Sequence, residues 1–90
     1  MTRRHEVVLP ELGLTGVPIL VSVWLVPRGA EVVEGDRLVE ILAGSATVDL
    51  PAPASGRLAR ICAAEDEEVS PGAVLAIIEE PEEGTTENRA

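Results

Sequence analysis

Chemistry in a short chain has to come from a few reactive side chains held together, and this sequence offers few. It has a single histidine (His5), a single cysteine (Cys62) and no lysine at all. The absence of lysine excludes Schiff bases and any amide made through a lysine side chain. Ser45 draws attention because it sits in a short tip of small residues, Ala43-Gly44-Ser45-Ala46, between two apolar arms. A serine hydroxyl is a weak nucleophile without a neighbouring base. The one histidine that could serve lies in the N-terminal lead. His5 alone makes no metal site. The acidic runs Glu65-Asp66-Glu67-Glu68, Glu79-Glu80 and Glu82-Glu83 lack the alternating oxygen ligands and sharp glycine of a calcium loop, and are read as solvated charge. Phosphopantetheine carriers also use a serine, but at a helix start in an Asp-Ser-Leu setting, whereas Ser45 follows a glycine on a turn. No catalytic constellation forms, and enzyme activity is not expected of these residues.

The elements that would hold such a tip are strands. Leu38-Val39-Glu40-Ile41-Leu42 and Thr47-Val48-Asp49-Leu50 are β-prone arms around a glycine-containing tip, the pattern of a tight hairpin. Pro51 and Pro53 end it, because proline cannot donate to a sheet ladder. Other strands are expected at 6–9, 19–26, 31–33, 57–62 and 74–78, each bounded by glycine or proline. Trp24, the only aromatic residue, is expected in the core. Valine and isoleucine, stiff at χ1, supply much of the rest. Residues 1–5 read as a frayed polar lead, and 81–90 as an acidic disordered tail.

The chain also partly repeats itself. Shifted by 37 residues, Glu31-Val32, Gly35, Leu38 and Ile41 fall on Glu68-Val69, Gly72, Leu75 and Ile78. Upstream, Val21 and Trp24 fall on Leu58 and Ile61. Two similar halves, each with one open apolar face, predict two sheets related by a pseudo-twofold axis. The repeat places Cys62 on Leu25, so Cys62 is expected to be a small buried residue.

Ninety residues make one domain. A chain this small buries only about 60–65% of its unfolded surface, so the core must be efficient. The net charge of -9 opposes nucleic acid and anionic membranes and permits docking on a basic partner. No apolar run reaches the roughly 20 residues of a membrane-spanning helix. One unpaired cysteine fits a reducing compartment, and a cytoplasmic location is expected.

The residues together resemble a known family. Leu9-Pro10-x-Leu12-Gly13, Trp24, Gly29, Val32, Gly35, Leu38-Val39-Glu40-Ile41, Ala46-Thr47-Val48-Asp49-Leu50-Pro51-Ala52-Pro53, Gly56, Val69, Gly72 and Leu75-Ala76 fall in the order seen in lipoyl domains of 2-oxo acid dehydrogenase acyltransferases. These belong to the wider biotinyl/lipoyl attachment fold. The resemblance covers residues 6–80. It implies an all-β flattened barrel of two four-stranded antiparallel sheets, with the hairpin tip at 44–46.

In that family the tip reads Asp-Lys-Ala and the lysine is lipoylated; biotinyl relatives carry Met-Lys-Met. Here the tip is Gly44-Ser45-Ala46, so Ser45 stands at the lysine position and is not expected to be modified. No lipoate or biotin is expected on this chain. The loop Leu14-Thr15-Gly16-Val17-Pro18 also lacks the acidic residues that partner enzymes read in many members.

What the resemblance implies is a non-catalytic binding or assembly module that docks on a protein partner, such as a 2-oxo acid dehydrogenase complex or similar multienzyme assembly. The alternative is a lipoyl or biotinyl carrier, shuttling acyl groups between active sites, whose tip lysine has been replaced by engineering. The lipoyl-like domains of membrane-fusion adaptors also lack the lysine. They split their halves around a long helical insert, however, and the continuous run from Val48 to Arg57 leaves no room for one.

Overall fold

The computed structural model describes residues 2–81. Among them every regular element is a strand: β1 (Thr2–Val8), β2 (Ile19–Trp24), β3 (Glu31–Val32), β4 (Arg37–Ala43), β5 (Ala46–Pro51), β6 (Gly56–Ile61) and β7 (Val74–Pro81). They form two antiparallel sheets, one in the order β1-β7-β6-β3 and the other in the order β2-β4-β5. The all-β expectation therefore holds.

The second sheet has three strands where four were expected. Its fourth member is reduced to the Leu20–Glu68 bridge beside β2. Three backbone bonds fasten that segment: Val21 N–H to Glu67 O (3.0 Å), Asp66 N–H to Val21 O (2.7 Å) and Val69 N–H to Ile19 O (2.9 Å). The acidic turn at 64–67 on one side and Pro71 on the other leave it too short to count as a strand.

The 37-residue repeat survives in fine detail. Ser22 is skipped in the β2–β4 pairing and Ala59 in the β6–β7 pairing. Leu38 is skipped in the β4–β5 pairing and Leu75 in the β1–β7 pairing. Each of these β-bulges lies 37 residues from its counterpart. A bulge bends its strand and sharpens the local twist, so matched bulges curve both sheets alike. The curvature lets the inward faces close on each other. Leu9, Val21, Leu38, Val39, Ile41, Leu58, Leu75 and Ile78 are fully buried between them, and no polar residue is buried among the described residues.

Several expectations need correction. Residues 2–5 are not frayed: Thr2 to His5 pair with Pro81 to Ile78 as the outer part of β1. Arg3 and Arg4 stand opposite Glu80 and Glu79, so the polar lead is an exposed edge strand stitched by opposite charges. The last strand runs on to Pro81 for the same reason. The remainder of the predicted tail, 82–90, lies outside the described residues. Cys62 is exposed, not buried. Its repeat counterpart Leu25 is also exposed, so the repeat holds at this position and the position faces solvent in both halves. Trp24 is half-buried and packs on the edge of the core. Its indole Nε1 donates to the carbonyl of Ala63 at 2.8 Å, satisfying the ring's one polar atom.

Candidate functional site: the β4–β5 hairpin tip

β4 and β5 pair through Ala43 and Ala46, leaving a two-residue turn, Gly44-Ser45. Gly44 has φ +63° and Ser45 does not enter the left-handed region. A positive φ at the first turn position alone is the type II′ pattern, which matches the twist of the flanking strands and demands glycine there. The sequence thus dictates the turn: small neutral residues at the tip, β-branched residues in the arms.

The loop between β1 and β2 braces this tip. Gly44 N–H donates to the carbonyl of Pro18 at 3.1 Å. Val17 lies 3.5 Å from where a Cβ on residue 44 would sit. Gly44, Ser45 and Ala46 are all exposed. Val17, against the turn, and Leu14, in the same loop, also face solvent. From Leu12 to Pro18 and from Ile41 to Val48 there is no charge, although the chain as a whole carries -9. The two segments that form and brace the turn are neutral and partly apolar.

Nothing near Ser45 activates it. No hydrogen bond to its hydroxyl is present among the described residues. His5 belongs to the other sheet, where its Nε2 bonds Glu80 Oε1 at 2.8 Å. No group of three metal-binding side chains occurs among the described residues. The predicted site residues Gly44, Ser45 and Ala46 lie at the apex of the β4–β5 hairpin. The brace from Val17 and Pro18 was not foreseen, since nothing in a Gly- and Pro-broken loop reveals which turn it will lie against.

Two antiparallel sheets thus hold the exposed Gly44-Ser45 turn at the end of the β4–β5 hairpin. Residues 5–78 match the biotin/lipoyl family described as "Biotin-requiring enzyme", and the chain belongs to that family. It is 33% identical over 82 residues to the dihydrolipoyllysine-residue acetyltransferase component of the acetoin cleaving system of Pseudomonas putida, covering 91% of this chain and 22% of that protein. It is also 33% identical over 73 residues to the corresponding component of the pyruvate dehydrogenase complex of Corynebacterium glutamicum, covering 81% of this chain and 11% of that protein. The chain thus spans about a fifth or less of the length of these relatives. No helix among the described residues is long and apolar enough to cross a membrane.

Proposed function

We propose that this chain is a lipoyl-like domain that carries no acyl group and serves as a binding or assembly module in a multienzyme complex related to the 2-oxo acid dehydrogenases. The observation behind this reading is the apex itself: Ser45 stands where the family resemblance puts the attachment lysine, in a chain without any lysine. A lipoyl or biotinyl amide needs a primary amine, and a hydroxyl with no base beside it does not replace one. The residues present do not fit either group, so no transfer step is assigned to this tip. What remains of the carrier is its barrel and its exposed end, which suit docking. The partner is a protein, and the cytoplasm is the compartment that the unpaired Cys62 fits.

The test is to rebuild the tip. In the double variant Gly44→Asp with Ser45→Lys, incubation with a lipoate ligase reads out whether the rest of the recognition surface persists. A domain repurposed for docking stays unmodified. Ready lipoylation would favour the second reading, a carrier that has lost only its lysine.

A further inference from the structure

A groove runs along the other end of the hairpin, near the Arg37–Pro51 pair and away from the tip. Leu25, Val26, Asp36, Arg37, Glu40 and Asp49 line it. Leu25 is 43% exposed, a large apolar side chain left open to solvent. The charges are unbalanced, with three carboxylates against one guanidinium. Arg37 Nη1 is committed to Asp49 Oδ2 at 3.2 Å. Asp36 Oδ2 accepts from the Val33 amide at 2.9 Å. Glu40 is half-buried, has no ion-pair partner among the described residues, and stands directly across the ladder from Asp49. Like charges in that relation are destabilising.

The internal repeat supplies a control. The counterparts of Leu25, Val26, Asp36, Arg37 and Glu40, each 37 residues on, are Cys62, Ala63, Ala73, Val74 and Ile77. The second half builds the same bulges and the same backbone bonds with no charge at any of these positions. Leu25 N–H donates to Leu38 O and Cys62 N–H to Leu75 O, both at 2.8 Å. The scaffold does not require the charges at 36, 37 and 40.

We infer that this groove docks a basic segment of a partner protein, presenting an arginine or lysine. The aliphatic stem of that residue lies along Leu25 and Val26, as long cationic side chains do on apolar surface, and its head meets Glu40 and Asp49. This deepens the docking reading and names a surface distinct from the tip. Its failure would leave a tip-docked module standing, because the peptide titration reads this groove and the ligase test reads the surface a ligase recognises around the tip.

The experiment is an amide-resolved NMR titration of the full chain with the peptide acetyl-Ala-Leu-Arg-Ala-amide, alongside the same peptide with glutamine for arginine. The expected result is saturable shifts at Leu25, Val26, Glu40 and Asp49 with the arginine peptide alone. The Glu40→Gln variant, its remaining spectrum unchanged, should bind about fivefold more weakly, the upper range for a solvent-accessible ion pair. Three results would overturn the inference. These are no shifts at the groove, equal shifts with the glutamine peptide, and shifts centred instead on the acidic turn Glu65–Glu68.

Discussion

Gly29 and Asp66 hold the same left-handed turn in the two halves of the barrel, with φ +94° and +73°. Gly29 N–H donates to Leu58 O at 2.7 Å, and Asp66 N–H to Val21 O at 2.7 Å. The two residues, and the two acceptors, are each 37 apart. Asp66 is the one non-glycine residue with positive φ among those described. It takes the conformation that glycine holds at the matching position of the other half.

That imposition has a cost that can be measured. A left-handed conformation is disfavoured for a residue with a Cβ by about 1–2 kcal/mol, less for aspartate than for most. Asp66→Gly should raise stability to urea by about 0.5 kcal/mol, after the added freedom of glycine in the unfolded chain is set against the relief. An unchanged or lower midpoint would show that Asp66 is comfortable where it stands.

Gly56 opens β6 where β7 passes closest. A Cβ there would run into the backbone carbonyl oxygen of Glu79 and lie 3.0 Å from Ile78 Cγ2. Backbone cannot swing aside as a side chain can. Gly56→Ala should destabilise by about 3 kcal/mol, the top of the overpacking range, with the β6–β7 amides losing hydrogen-exchange protection first. The glycines at 13, 16, 29, 35 and 72 have open space around a Cβ, so the same change there should strain the backbone without a clash.

Glu40 and Asp49 face each other across β4 and β5. Glu40→Gln removes one of two opposed carboxylates and should raise stability by about 0.5 kcal/mol at low salt. The gain should shrink as salt screens the pair. A stabilising substitution that also weakens peptide binding would mark Glu40 as a residue held for recognition at the expense of stability. Loss of stability would mean that Glu40 is instead satisfied by its surroundings.

The barrel was legible in the sequence because its signals are short-range. Glycine and proline punctuate the strands, and the match of Leu38 and Ile41 to Leu75 and Ile78 reports the two halves directly. The tip was legible for the same reason, since Gly44 and Ser45 lie between arms that pair residue for residue. What escaped is set at long range. Thr2–His5 look like a loose lead until Glu79 and Glu80 are seen across from Arg4 and Arg3. Cys62 looks like core because the repeat sets it on the apolar Leu25, yet both positions, after β6 and after β2, turn outward. The groove unites residues 25, 36, 40 and 49 only after the hairpin folds back along β2. A periodicity argument has no access to such a meeting.

We propose that Ser45, at the apex where the family resemblance puts an attachment lysine, carries no group. The most direct measurement is the intact mass of the protein isolated from its native source, followed by peptide sequencing across residues 43–47. A mass equal to the unmodified polypeptide is the predicted result. An adduct mapped to Ser45 would contradict it and make this domain a carrier with an unfamiliar linkage.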